Sequence, residues 1–133
     1  MKTLLISLTL LFTQIAAAND IIRAIAESNE LKVQTLRDGR KVLAAKSGMT
    51  LYTFDNDTTG ASTCFGGCLA VWPVIATVKN SLPAPFSIHL RANGQKQISL
   101  ENRPLYFYAP DKKPGDVKGD GVGGIWHLVE IRE

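Results

Sequence analysis

Two cysteines, Cys64 and Cys68, are the only thiols in the chain and lie four positions apart. In an oxidising compartment an isolated pair of this kind first suggests a disulfide, and the two glycines between them make a small ring easy to close. The C-x-x-x-C spacing has no following histidine for haem attachment, and it is not the C-x-x-C of thioredoxin-type exchange. The pair therefore predicts a structural disulfide.

Metal binding is the alternative use of these thiols. Zinc would need two more ligands, and His89 and His127 have no close spacing to the cysteines or to each other. A copper site could be assembled from Cys64, Cys68, both histidines and Met49, although nothing in their spacing requires it. We predict no cofactor, and keep copper or haem as the alternative.

Tyrosine, tryptophan and aspartate side chains recur along the chain at a constant interval of 54 residues. The recurring pairs are Leu51 and Leu105, Tyr52 and Tyr106, Phe54 and Tyr108, Asp57 and Asp111, Gly67 and Gly121, and Trp72 and Trp126. A fixed interval of this kind indicates an internal duplication. The chain is therefore predicted to contain two degenerate copies of one unit.

Tyr52 and Phe54 lie two positions apart, as do Tyr106 and Tyr108, so each pair projects from one face of its strand. With Trp72 and Trp126 they give two aromatic clusters. Such rings either fill a core, with tyrosine hydroxyls bonded to the backbone, or line a groove for a flat ligand such as a quinone, flavin, haem or sugar. The aspartates end their strands, where a carboxylate can hold a turn by accepting backbone N–H groups. The repeat motif, and with it the candidate ligand surface, comprises Tyr52, Phe54, Asp57, Trp72, Tyr106, Tyr108, Asp111 and Trp126.

A turn signal precedes each copy of this motif. Asp38-Gly39 and Asn93-Gly94 lie 55 residues apart, and such dipeptides favour type I′ turns because both central residues need positive φ. The predicted hairpins pair Leu31–Leu36 with Lys41–Ala45 and Phe86–Leu90 with Gln95–Leu100. A Leu-Tyr strand follows each hairpin, so each copy is predicted to be a three-stranded meander.

The rest of the chain adds few elements. Residues 126–131 alternate as one more strand, residues 111–124 have the Gly-rich composition of a loop, and residues 20–30 have helical spacing with Asn19 or Asp20 as cap. The predicted fold class is all-β with one short N-terminal helix. It consists of two degenerate β-meander repeats, about residues 31–78 and 86–132, related by pseudo-twofold symmetry.

Three motifs together carry a resemblance to a known family. They are Leu51-Tyr52-Thr53-Phe54-Asp55-Asn56-Asp57, then Cys64-Phe65-Gly66-Gly67-Cys68 with Trp72-Pro73, then Arg103-Pro104-Leu105-Tyr106 with Gly121 and Trp126. They resemble the bacterial family called secreted repeat of unknown function, also described as predicted lipoproteins with a Tyr-x-aromatic-x-x-Asp motif. The likeness covers roughly residues 32 to 130 and implies export without implying an activity.

The first eighteen residues indicate the destination of the chain. A basic start at Lys2, an apolar run and Ala16-Ala17-Ala18 form a secretory signal, leaving residues 19–133 as a single β-rich domain. No cysteine follows Ala18 for acylation, so we expect no stable membrane anchor. Without Lys2 the formal net charge falls from +3 to about +2, too mild to indicate nucleic-acid binding. We expect a periplasmic or secreted protein.

The catalytic patterns sought in the chain are not present. It has no G-x-S-x-G sequence and no metal-binding helix pattern, and its histidines and serines are not ordered by spacing. We therefore predict an exported, non-catalytic binding or interaction module of the bacterial envelope, with an unknown envelope protein or small ligand as partner. The alternative is a periplasmic accessory protein for copper, haem or redox handling.

Overall fold

The computed structural model describes residues 20–58 and 60–132, so the predicted signal sequence and the predicted cap at Asn19 lie outside the described residues. Residues 20–28 are helical and are called α1. The other elements are β1 (Leu31–Thr35), β2 (Lys41–Ala45), β3 (Tyr52–Phe54), α2 (Gly67–Val71), β4 (Phe86–Leu90), β5 (Lys96–Leu100), β6 (Arg103–Pro104), a 3₁₀ turn (Val122–Gly124) and β7 (Trp126–Leu128). The all-β class with two repeats is confirmed, whereas the short helix α2 was not predicted.

Both predicted hairpins are present, with β1 antiparallel to β2 and β4 antiparallel to β5. Their turns are not the predicted type I′, because Gly39 and Gly94 have positive φ while the residues before them do not. Instead the side chains of Asp38 and Asn93 accept the backbone N–H groups two residues ahead, each at 3.0 Å. The Asx side chain therefore closes a wider loop that needs only one left-handed residue.

The predicted meanders are only partly correct. Leu51 and Leu105 each bond back to their own hairpin, at Leu43 and Ile98. One residue later each chain segment leaves its hairpin. Tyr52 and Tyr106 donate their backbone N–H groups to each other's carbonyls, at 2.8 and 3.0 Å. The strand β3, which begins at Tyr52, pairs with β7 of the other copy. The second copy does have three strands in the order β4-β5-β6, but its third strand is Arg103–Pro104 and not the Leu-Tyr segment.

The segment after each tryptophan pairs with the hairpin of the other copy. Leu43 donates to the carbonyl of Val129 at 2.8 Å, and Ile98 donates to the carbonyl of Ile75 at 2.9 Å. These two bonds correspond across the repeat, as do the bonds from Ile131 to Lys41 and from Thr77 to Lys96. The two copies thus exchange strands about a pseudo-twofold axis that passes between Tyr52 and Tyr106. The predicted strand at residues 126–131 is β7 followed by one bridge, from Glu130 to Val42.

Two clusters of buried side chains result from this exchange. The larger is aliphatic and comprises Ala24, Ile25, Leu31, Leu43, Ala45, Leu51, Ile75, Phe86, Ile98, Leu100, Leu105 and Ile131. The smaller is aromatic and comprises Tyr52, Cys64, Trp72, Tyr106 and Trp126. Each cluster draws residues from both copies, so neither copy has a complete core of its own. Within the described residues, none of the helices has the length and apolar character to cross a bilayer.

Cutting the segment that connects the two copies, about residues 79–85, tests this exchange. We expect that a protease site inserted after Ser81, in the exposed segment before β4, gives a nicked protein that stays folded as one particle, because the cross-copy bonds and both clusters hold the halves together. Size-exclusion chromatography with and without urea measures this: the halves should co-elute in buffer and separate only on unfolding. Halves that separate in buffer would contradict the exchange.

Candidate functional site

The centre of the molecule is a pair of tyrosine–aspartate hydrogen bonds that cross between the copies. The hydroxyl of Tyr52 donates to Asp111 Oδ2, and the hydroxyl of Tyr106 donates to Asp57 Oδ2, both at 2.6 Å. The sequence suggested backbone partners for these hydroxyls. The partner is a carboxylate of the other copy because the two tyrosine-bearing segments lie side by side and point their side chains toward opposite loops.

The second carboxylate oxygen of each aspartate holds the loop that follows it. Asp57 Oδ1 accepts the backbone N–H and the hydroxyl of Thr63, at 2.7 and 2.9 Å. Asp111 Oδ1 accepts the backbone N–H of Lys118 at 3.0 Å. Each aspartate therefore anchors its own loop and, through the tyrosine, the other copy.

Burial keeps both tyrosines in their neutral form. It raises the pKa of Tyr52 far above its ordinary value near 10, and the hydrogen bond to Asp111 raises it further. Burial likewise raises the pKa of Tyr106, with the hydrogen bond to Asp57 as the next largest cause. The physical reason is that a phenolate would lose hydration and would face a carboxylate that can only accept. The hydroxyl protons are therefore fixed between the copies.

Four aromatic rings stack beside the tyrosine pair. Trp72 and Trp126 lie parallel with ring centroids 3.8 Å apart. The outer face of each tryptophan packs on a ring from the other copy. The outer rings are Phe54, 4.0 Å from Trp126, and Tyr108, 4.2 Å from Trp72. Tyr52 and Tyr106 meet Trp72 and Trp126 edge-on at 5.4 and 5.3 Å. The stack is symmetric about the same axis.

Solvent exposure distinguishes the core of this stack from its ends. Tyr52, Tyr106 and both tryptophans are buried, whereas Phe54 and Tyr108 are half-buried. Gly119 packs against the stack so closely that a Cβ there would lie 2.9 Å from ring atoms of Trp72 and Tyr52. Of the eight motif residues, only the two outer rings have surface available to a ligand.

The Cys64–Cys68 disulfide is present and closes the loop that leads into α2. Cys64 is buried in the aromatic cluster, whereas the next residue, Phe65, is 60% exposed. The equivalent positions in the second copy, Lys118 and Val122, have no bridge, and Gly119 replaces the phenylalanine. The disulfide loop is therefore a feature of the first copy alone.

A buried arginine, not identified from the sequence, supports this loop. Arg91 donates from Nη1 to Ser62 Oγ at 2.9 Å and to Gln97 Oε1 at 2.8 Å, and from Nη2 to the carbonyl of Cys64 at 2.8 Å. Its guanidinium also lies 5.4 Å from the ring centroid of Phe65. The one available signal was the 55-residue register of the hairpins, which places Arg91 and Gln97 where the first copy has Leu36 and Val42.

The candidate metal ligands lie on separate elements. His89 is on β4 opposite Gln97, and His127 is on β7, where its Nε2 is 2.9 Å from Asp55 Oδ2. Met49 lies between β2 and β3, and the two cysteines are bonded to each other. In residues 20–58 and 60–132, no group of three or more His, Cys, Asp or Glu side chains is placed to hold a metal ion. The His127–Asp55 pair is partly exposed and corresponds to Pro73 and Ala109 in the other copy.

Comparison with known proteins identifies the repeat. A family model described as "Secreted repeat of unknown function" matches the chain twice, at residues 32–76 and 87–130. Each match spans one hairpin and the Tyr, Asp and Trp residues that follow it. The search of curated proteins found no match, and neither did the search of solved structures.

The buried tyrosines predict a loss of stability at alkaline pH. Because their folded pKa values lie above the unfolded value near 10, their contribution is complete below that pH and is lost as the pH rises toward the folded values. Urea unfolding between about pH 9 and pH 11 should show the free energy of unfolding falling by up to about 1.4 kcal/mol per pH unit for each tyrosine. Tyr52→Phe with Tyr106→Phe should lose this part of the slope.

The same variants carry a cost at neutral pH, of about 1–3 kcal/mol for each buried carboxylate that loses its donor. Tyr108→Phe is the matched control, because its hydroxyl belongs to neither tyrosine–aspartate pair, and this variant should keep the slope that the two pairs contribute. An unchanged slope in the double variant would show that the two buried hydroxyls do not determine the alkaline sensitivity.

The disulfide predicts a modest stability effect. Cys64→Ala with Cys68→Ala should still fold and should lower the free energy of unfolding by about 1 to 2 kcal/mol, because so short a ring restricts the unfolded chain little. Oxidised protein should weigh about 2 Da less than reduced protein and contain no free thiol. Complete unfolding of the double variant would show that the first copy depends on its bridge, although the second copy folds without one.

Proposed function

Because the chain belongs to the family of secreted repeats of unknown function, we propose that it is an exported, non-catalytic interaction module of the bacterial envelope that acts in the periplasm or outside the cell. Its binding surface is the disulfide loop of the first copy, defined here as Cys64 to Cys68 with the exposed ring of Phe65. The partner is an envelope component that presents an apolar pocket to this ring.

The use of the motif residues supports a scaffold role for the repeat. The tyrosine hydroxyls and the aspartate carboxylates bond to one another and to loop backbone, and the tryptophans stack on each other. Groups engaged in this way inside a core are not free to act on a substrate. The functional surface is then to be found among the residues that this scaffold presents to solvent.

The observation that carries the proposal is the way in which Phe65 is held. Phe65 is 60% exposed, and because a single exposed apolar residue is ordinary at a protein surface, what distinguishes this ring is the way in which it is held. Phe65 is presented by a covalently closed loop, and the Arg91 guanidinium beneath it also bonds the carbonyl of Cys64. A ring fixed in advance costs little conformational entropy on binding, as expected for an interface anchor.

Two further apolar side chains outside the disulfide loop are exposed. Val71, at the end of α2, is 43% exposed, and Leu90, next to Arg91 at the end of β4, is 66% exposed. The corresponding positions in the other copy are the partly buried Ile125 and the polar Thr35. Neither exposed side chain is thus repeated at the corresponding position of the other copy, although the scaffold beneath them is symmetric.

Site-specific photocrosslinking in the periplasm of a producing cell tests the proposal. A photoreactive phenylalanine analogue at position 65 should give one discrete adduct, and the adduct should weaken when Cys64 and Cys68 are both replaced by alanine, because the ring is then no longer held. The same analogue at Val78 is the control, since that residue is 93% exposed but lies outside the disulfide loop.

Two outcomes would overturn the proposal. Adducts that are the same at positions 65 and 78 would show that crosslinking reports exposure and not a specific surface. Stoichiometric copper or a haem absorption band in protein purified from the periplasm would instead favour the accessory role in copper, haem or redox handling.

A further inference from the structure

The strands β1 and β4 are corresponding outer strands of the two hairpins. β1 pairs with β2 alone and β4 pairs with β5 alone, and in the described part of the chain no other strand pairs with either of them. An unpaired edge exposes N–H and C=O groups that can pair with another chain, so natural proteins usually protect it.

The direction of the backbone groups of β4 follows from its neighbours. Ile98 of β5 donates to the carbonyl of Ile75 and accepts from Leu105, so both of its backbone groups point away from β4. Ile88, which lies opposite Ile98, therefore forms a non-hydrogen-bonded pair and points its own N–H and C=O outward. Leu90, two residues further on, points the same way, whereas the N–H of Phe86 is taken by the carbonyl of Pro83.

The two edges differ in chemistry. β1 has Lys32 and Thr35, and its central Val33 packs against the aliphatic cluster. The corresponding residues of β4 are Ser87, Leu90 and Ile88, so β4 has no charged side chain and ends in a leucine that is 66% exposed. Lysine on an edge strand opposes pairing with another chain, and β4 lacks this protection.

We propose that β4 pairs antiparallel with β4 of a second copy of this chain, about a twofold axis at Ile88. Such a pair forms four hydrogen bonds: the N–H of each Ile88 bonds the C=O of the other, and the N–H of each Leu90 bonds the C=O of the other copy's Phe86. The N–H of Phe86, already bonded to Pro83, is not needed.

The side chains of β4 fit this self-pairing. Antiparallel pairing about Ile88 places the two isoleucines opposite each other, Leu90 opposite Phe86, and Ser87 opposite His89. No like charges meet, and the exposed Leu90 side chain lies diagonally beside the half-buried Ile88 of the other copy. A second copy suits the edge because the strand is complementary to itself, as a twofold interface requires. This pairing does not depend on the proposed partner of Phe65.

Sedimentation of the purified mature protein over a range of concentrations up to millimolar measures the association, since an interface of one strand pair is small. The average mass of the unmodified protein should rise toward twice the monomer mass as concentration increases. Ile88→Lys and Ile88→Glu should each remain monomeric, because each places two like charges opposite each other at the axis. An equimolar mixture of the two variants should recover the dimer, because opposite charges then meet.

Val33→Lys and Val33→Glu are the matched controls on the corresponding edge of the other copy and should associate as the unmodified protein does. Near-ultraviolet circular dichroism of the tryptophan stack confirms that every variant is folded. The proposal is overturned if the unmodified protein is monomeric at all concentrations, if Val33 variants dissociate it while Ile88 variants do not, or if the mixture of charged variants fails to associate. The first of these outcomes leaves the edge to an extended segment of a different protein.

Discussion

The crossed hydrogen bonds between Tyr52 and Asp111 and between Tyr106 and Asp57 are the constraint on which the rest of the fold depends. A buried carboxylate is tolerated only when its oxygens accept hydrogen bonds. Here each aspartate accepts one from a tyrosine of the other copy and at least one from its own loop. Losing one partner leaves an acceptor stranded in an apolar cluster. The two copies must therefore keep the register that places the tyrosines side by side, and this register in turn stacks Trp72 on Trp126.

The polar network also connects the core to the surface of the first copy. Asp57 binds Tyr106, whose hydroxyl lies 2.6 Å from Ser62 Oγ, and Ser62 in turn accepts from Arg91. The guanidinium then holds the carbonyl of Cys64 and lies against Phe65. The exposed ring is thus positioned by a continuous chain of hydrogen bonds that begins at the pseudo-twofold axis. The hydrogen bonds of this guanidinium are stronger than they would be in water, because the dielectric constant of the protein interior is low.

Symmetry separates the scaffold of this protein from its individual features. The hairpins, the tyrosine–aspartate pairs and the exchanged strands occur twice, and the single aromatic stack is symmetric about the axis. The disulfide, Arg91 and the apolar edge at β4 occur once. Where the second hairpin has Arg91 and Gln97, the first has Leu36 and Val42 and packs without a polar network. Residues that differ between the two copies are not required by the motif that the copies share, which is why both functional proposals rest on them.

The sequence by itself determined the duplication, the two hairpins, the helix near residue 20, the disulfide pairing and the family. Each of these depends on local spacing or on residue types at a fixed interval, and the alternation, turn and capping preferences of short segments act before any tertiary contact forms. Only the tertiary structure decided that the strands after Tyr52, Trp72 and Trp126 pair with the other copy, that the tyrosines bond to aspartates and that Arg91 is buried. A repeat motif is the same whether each copy folds on itself or exchanges strands with its neighbour, because both arrangements satisfy the same local preferences. The choice between them depends on which arrangement buries both aromatic sets and satisfies both carboxylates at once, a condition that involves residues 49 to 59 positions apart.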